Sequence, residues 1–485
     1  MHPIAKLTTA TLLAAPVLVG VAAARRALPA GLNVSGRVHS GQVRLLADLT
    51  YRADGQSISD QQIFDAVEQL IDRAERFLVL DIFLFNADYS QPAGTYPALA
   101  QRLTDALLAK RADAPNVAIV LITDPMNTFY GSTPQPHFEA LRAAGVQVVE
   151  TNLEPLRDSH PLYSSFYRTY LRHLPEPPGV LPNPLAPSAP KVSLGSYLRL
   201  LNFKANHRKV AISEREAVVS SANPHDASAP NNNLGFWGTG PVLADLVASE
   251  AAVYRLSGGE PAVFERFASW LALDSEIGED AAAAGSAQVQ LVTETGIRDA
   301  ALKMLAGAGS GDRVLLGMFY LSERSIISAL KGAAARGAQV QVILDQNIDA
   351  FGRRKTGLPG KPVAAELVKA GVEVRWYETH GEQFHPKYLA VFTPAQCQIL
   401  AGSGNFTRRN VSGFNLETSL RVQVPESSPL AEEFAAMWQI IWTNDAGAPA
   451  LFTVDYAVHP ASTGLRGVLQ NFAYRAQEAS GVSTF

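Results

Sequence analysis

Four residues in this chain have the types and spacing to act on a phosphorus atom. His207 and Lys209 stand two apart, and His385 and Lys387 repeat the arrangement. A neutral imidazole can attack phosphorus as a nucleophile. A protonated one can hand its proton to a leaving alkoxide and later take one from an incoming alcohol or water. Histidine's ordinary pKa is near enough to neutrality for surroundings to set two such roles apart. The lysines supply positive charge for the non-bridging oxygens of a transition state. Both copies continue alike. An apolar run follows (210–212; 388–392), then a second (217–219; 398–400), then Ser221 and Asn223 or Ser403 and Asn405, whose neutral donors could hold phosphate oxygens. This chemistry calls for no metal and no cofactor. The chain shows no cluster with metal-ligand spacing, and its one cysteine, Cys397, allows neither an internal disulfide nor a cysteine-rich metal site.

The elements that must position these residues form an alternation of strand and helix. Residues 63–74 have helical apolar spacing, 77–85 read as a buried strand, 99–108 as a helix and 117–121 as a second buried strand. Residues 138–144 read as a helix capped by Gly145, and 146–149 as a strand. The second half repeats the order with a strand at 312–320, a helix at 326–336, a strand at 338–344, a helix at 363–370, Gly371, and a strand at 372–377. Strands alternating with helices predict an α/β fold, a mixed sheet flanked by helices in each of two repeated halves. A repeat this long makes a pseudo-dimer rather than a solenoid. A pseudo-two-fold axis would bring the two His-x-Lys edges to one cleft. The expected boundaries are 36–277 for the first half, 286–446 for the second, a linker at 278–285 and a tail at 447–485. Asp124 and Asp345 end equivalent strands, where a turn or cap role is the simpler reading.

With 485 residues the chain has ample material for a core, and its formal net charge is −4. That balance leans against a nucleic-acid partner, which favours a basic stripe. Residues 7–24 are an almost uncharged apolar run between Lys6 and Arg25-Arg26, within an N-terminal segment at 1–30. The run suits a signal peptide ending in small residues or a short membrane anchor. The heavier positive charge behind it favours a retained anchor in the inner membrane with the body on the cytoplasmic side. Cleavage would instead release a secreted or periplasmic protein. The first half also carries an insert at 151–205 that its twin lacks. The insert holds Tyr163, Phe166, Tyr167, Tyr170, Tyr197 and Phe203, a proline-rich loop at 175–190, and six Arg/Lys against three acids. Aromatic and basic residues together suit a membrane surface and a phospholipid substrate. The alternative is a lid packed over the core.

The duplicated His-x-Lys with a downstream Gly-Ser-x-Asn resembles the phospholipase D superfamily over residues 60–445, and among its bacterial members the cardiolipin synthases. The resemblance implies a phospholipase D-like fold and phosphodiester exchange on phospholipids through a phosphohistidine, with His207 the nucleophile and His385 the acid and base. It also shows departures. The family's Asp position is Glu214 in the first copy and Phe392 in the second, and the first Gly-Ser pair is Ser220-Ser221. The family places a carboxylate further on to orient the histidine of its own half. Glu417 fits that role for His385, while Asn233 stands at the matching position for His207. A hydrolase, a nuclease or phosphodiesterase on the same fold, and a membrane scaffold without activity are the alternatives.

Overall fold

The structure is a computed structural model describing residues 15–23, 26–87, 96–175, 178–184, 189–277, 287–350, 353–446 and 450–482. The expected linker and parts of the N-terminal run and the proline-rich loop lie outside these residues. Among the described residues no helix is long and apolar enough to cross a membrane.

Two nine-stranded sheets carry the repeat. In the first half the order runs Val43–Ala53, Asn233–Gly238, Ala217–Ser220, Lys209–Ser213, Phe77–Ile82, Ala118–Thr123, Gln147–Glu150. In the second it runs Ala287–Thr293, Thr418–Pro425, Gln396–Gly402, Lys387–Phe392, Arg313–Met318, Gln339–Leu344, Glu373–Tyr377. The seven strands correspond one to one. In each half the last three pair in parallel and the rest antiparallel. The pseudo-two-fold α/β fold is therefore as the sequence pattern implies.

Side-chain alternation sorts the strands' residues into layers. Phe77, Val79, Val210 and Ile212 share one apolar core with Leu315, Tyr388, Ala390 and Phe392 of the other half. Helices Val242–Leu256, Pro261–Ile277 and Pro429–Thr443 contribute to that same core. The opposite faces, with Leu78, Leu80 and Ile82 in one sheet and Leu389 and Val391 in the other, pack under outer helices. The chain's ends tie the halves together. Ser35–Gly41 pairs with Ala287–Thr293 in the second sheet, immediately before Val43–Ala53 enters the first. In the tail, Ala450–Leu451 pairs with the first sheet and Thr453–Asp455 with the second.

Candidate active site

Each His-x-Lys enters its strand through a short parallel bridge to the other half. Asn206 pairs with Leu416, and Phe384 pairs with Asn232. The amide of His207 donates to the Leu416 carbonyl at 2.9 Å, and that of His385 donates to the Asn232 carbonyl at 3.0 Å. The residue after each bridge then faces the histidine across the interface. His207 Nδ1 lies 3.0 Å from the Glu417 carboxylate, and His385 Nδ1 lies 3.0 Å from Asn233 Oδ1. This corrects the expected pairing. Glu417 serves His207 and Asn233 serves His385, each partner reaching over from the opposite half. The earlier assignment followed order along the chain, and the crossing arises from the bridges between halves.

The hydroxyls sit behind these partners. Ser221 Oγ donates to Asn233 Oδ1 at 3.0 Å, while Ser403 Oγ and Asn410 Nδ2 both donate to the Glu417 carboxylate. Ser221 and Ser403 therefore hold the orienting residues. Asn223 and Asn405 line the cleft beside the histidines. The absent glycine of the first copy has a structural explanation. Gly402 pairs with Ser419, and a Cβ on Gly402 would lie 2.3 Å from the Thr418 carbonyl. In the first half the pair is reversed. Ser220 faces Gly235, where a Cβ would come within 2.5 Å of Ser220 Cβ. One glycine per pair preserves the close approach of the strands.

Glu214 has no orienting role toward either histidine. At the far end of strand Lys209–Ser213 its carboxylate accepts the amides of Glu75, Arg76 and Phe77 at 2.8, 3.2 and 3.3 Å. Its twin Phe392 is buried in the shared core. Loss of that second carboxylate therefore removes nothing from the cleft.

Sequence reasoning undervalued one pair and missed another. Asp124 Oδ2 accepts the Asn206 amide at 2.7 Å, and Asp345 Oδ2 accepts the Phe384 amide at 2.8 Å. Each strand-end aspartate thus fixes the residue just before a histidine, while its other oxygen accepts a turn amide, from Met126 or from Asn347. The second pair is Phe83 and Phe319, which follow equivalent strands. Their rings lie 4.7 and 5.0 Å from the His207 and His385 rings. Lys209 and Lys387 Nζ stand 4.9 and 5.3 Å over the same two rings, positions that favour cations. The signal for both pairs was their recurrence at matching places in the repeat.

The lysines donate to the carbonyls of their own histidines, Lys209 to His207 and Lys387 to His385. Burial dominates the electrostatics. Both imidazoles are held well below their ordinary pKa, first by burial and then by the two lysines. Burial brings Lys209 down to about 7, against the pull of Glu417, Asp81 and Asp124. Lys387 is also depressed, by burial and then by Lys209. Glu417 is pushed up to about 8 by burial, with Lys209 opposing. The cleft therefore concentrates more potential cations than carboxylates, and a phosphodiester anion would supply the missing charge. Among the described residues no group of His, Cys, Asp or Glu is placed to hold a metal.

Arg208, between the first histidine and lysine, points away from the cleft. It is fully buried and makes ion pairs with Glu250 at 3.0 Å and Glu294 at 2.9 Å. Glu294 in turn accepts the amide of Glu417 at 3.1 Å.

The cleft encloses about 1230 Å³ including its open mouth. Leu84 and Met126 line one side, and Leu200, Leu201 and Phe203 come from the insert. The insert folds as helices Pro161–Thr169 and Leu194–Leu200 with a 3-10 turn between them. Part of its basic character is internal. Asp158 binds Arg168 at 2.9 Å and Lys204 at 2.6 Å. Its outer surface exposes Leu162, Phe166 and Leu194.

Residues 302–438 match the family model described as "Cardiolipin synthase, PLD-like domain". Among solved structures, phosphatidylserine synthase from Haemophilus influenzae Rd KW20 is similar, with a TM-score of 0.53 at 10% identity over 96% of this chain and 99% of that one. A phospholipase D family member, Nuc from Salmonella typhimurium, aligns over 34% of this chain and 97% of its own, at 21% identity and a TM-score of 0.27. No curated protein matches the chain. At 10% identity the likeness to the synthase speaks for the fold alone.

Proposed function

We propose that this chain, a member of the phospholipase D superfamily, transfers a phosphatidyl group between lipid alcohols in the manner of a cardiolipin synthase. The observation that carries the reading is the crossed pairing of two unlike partners with two histidines in one cleft with apolar walls. A phosphohistidine keeps a cationic ring for as long as the intermediate lasts, so a carboxylate opposite Nδ1 favours that state. His207 has that carboxylate. The acid and base must release and regain a proton, and for that an amide that fixes the tautomer is sufficient. His385 has the amide.

With Nδ1 engaged by Glu417, His207 presents Nε2 to phosphorus. The P–N bond forms as the P–O bond to the first alcohol breaks, and His385, which enters this step charged beside the bound phosphodiester anion with protons on both nitrogens, gives the Nε2 proton to the leaving alkoxide. His385 then takes the proton of the second alcohol, whose oxygen attacks phosphorus and displaces His207. Lys209 and Lys387 balance the charge on the non-bridging oxygens. Leu200, Leu201 and Phe203 suit acyl chains, and the exposed Leu162 and Phe166 suit the membrane surface from which a lipid would arrive.

Purified protein incubated with phosphatidylglycerol vesicles should form a diphosphatidyl lipid and release glycerol. Mass spectrometry after acid-free digestion should find the phosphatidyl adduct on His207. Unchanged phosphatidylglycerol and no new lipid would refute the transfer. Phosphatidic acid as sole product would show water as the acceptor.

A further inference from the structure

The amide facing His385 can be turned two ways, and only one suits the chemistry. With Oδ1 toward the ring, Asn233 accepts from Nδ1–H and leaves Nε2 for the cleft. Turned over, its Nδ2 would face Nδ1 and drive the proton to Nε2. The cleft itself supplies one vote, because Ser221 Oγ–H donates to Asn233 Oδ1. A hydroxyl is a weak lock, since it can rotate and accept instead. The stronger vote comes from behind. Asn233 Nδ2 is directed at Asp48 Oδ2 at 3.5 Å and at the Asn231 carbonyl at 3.1 Å. Asp48 stands directly opposite Asn233 in the antiparallel ladder and is 1% exposed.

From this geometry we infer that Asp48 is a positioning residue for the reaction, acting through Asn233 to hold His385 in the Nδ1–H tautomer. This rests on the reading above that His385 is the acid and base.

The carboxylate's two oxygens divide their work. Oδ1 accepts the amides of Gln62 and Ile63, at 2.8 and 3.0 Å, where helix Ile63–Arg73 begins. Anchoring that helix needs only one oxygen, and Oδ2 is turned to Asn233. The repeat shows how the arrangement differs between halves. The position equivalent to Asp48 is Glu294, whose backbone meets Glu417 as Asp48's meets Asn233. In the second half both positions carry carboxylates, and Arg208 neutralises the rear one. In the first half the front position is an amide, the rear one keeps its carboxylate, and among the described residues no arginine is paired with it. The charge facing His385 thus stands one residue further back. Asp60 on the neighbouring strand is the other charge that bears on Asp48. Lys387, Lys209 and His207 are the charges that bear on His385. Burial pushes Asp48 up to about 7, so its hold on the amide strengthens above neutrality.

The test reads the tautomer directly, without substrate, in the full chain labelled with [15N]histidine. The ring signals of His385 are identified by their absence from His385→Gln. In Asp48→Asn the carbonyl can still accept the helix amides, but its NH2 now opposes Asn233 Nδ2. The Asn233 amide should turn over, and His385 should move from Nδ1–H to Nε2–H. Phosphatidyl transfer should fall about 10- to 100-fold, the range for loss of a residue that orients a functional histidine from behind. The double variant Asp48→Asn/Asn233→Asp restores an acceptor opposite Nδ1 and should return both the tautomer and most of the rate. If Asp48→Asn does not fold, Asp48→Ser replaces it, because its hydroxyl can still accept from the helix start but is too short to hold Asn233. It should show loss of the single Nδ1–H state. A His385 that stays wholly Nδ1–H in a folded variant overturns the inference, as does failure of both variants to fold, which would make Asp48 a folding residue. A tautomer switch in a protein inactive on every lipid would leave the inference standing and remove the lipid reading.

Discussion

Glu417→Gln separates the two roles assigned to the histidines. The carboxylate is fully buried with His207 Nδ1 3.0 Å away, so solvent does little to screen the pair. Once phosphorus is on Nε2 the ring is cationic. Two unit charges about 4 Å apart at an effective dielectric of about 20 attract by about 4 kcal/mol. Glutamine keeps a neutral hydrogen bond worth about 1 kcal/mol. The net loss of about 3 kcal/mol corresponds to a roughly hundredfold slower formation of the intermediate. The assay is single-turnover quench of labelled phosphatidylglycerol, reading the adduct on His207 against time. The pH dependence adds a second check. Attack requires Glu417 ionised beside Nδ1–H, and burial pushes this carboxyl up to about 8. The wild-type rate should therefore climb as pH rises toward 8 and then level, and the variant should lack that climb. A Glu417→Gln rate within fivefold of wild type, or an unchanged rising limb, would refute both the role of the carboxylate and the choice of His207 as nucleophile.

Three further outcomes follow from the geometry. Glu214→Ala removes the acceptor of three backbone amides and should cost about 2 kcal/mol in denaturant unfolding, with kcat nearly unchanged. Arg208→Met strands Glu250 and Glu294 in the interior and should destabilise the fold by about 3–5 kcal/mol on chemical denaturation. Binding of tungstate, a phosphate mimic, should take up protons near pH 7 to 8. An anion raises the pKa of Lys209 from about 7, so the lysine gains a proton on binding, and calorimetry in buffers of different ionisation enthalpy measures it.

The repeat was legible because it is written in residue types that cannot be exchanged cheaply. His207-Arg208-Lys209 and His385-Pro386-Lys387 each precede a buried strand, and the apolar runs around them found their strands within a few residues. The pairing across the interface was not legible. Glu417 and Asn233 follow their own copies in the chain, and only the bridges Asn206–Leu416 and Phe384–Asn232 turn them toward the other half. Asp124 and Asp345 looked like turn residues because one oxygen of each does serve a turn. Their second oxygens reach residues 82 and 39 positions away, a distance over which local pattern carries no signal. Ser220 looked like the loss of a glycine, whereas the glycine had moved to the neighbouring strand as Gly235.

The exchange of partners between halves also makes the site a sensor of its own assembly. The side chain opposite each Nδ1 comes from the other repeat, and the same bridges that place Glu417 place His207. A small rotation of one half against the other would release both rings together, while each sheet stayed intact. The strands at 35–41 and 450–455 clasp the halves at both ends of the chain. Loosening that clasp should leave spectra of secondary structure unaltered and extinguish activity. The rate of phosphoryl exchange then measures how closely the two halves are docked.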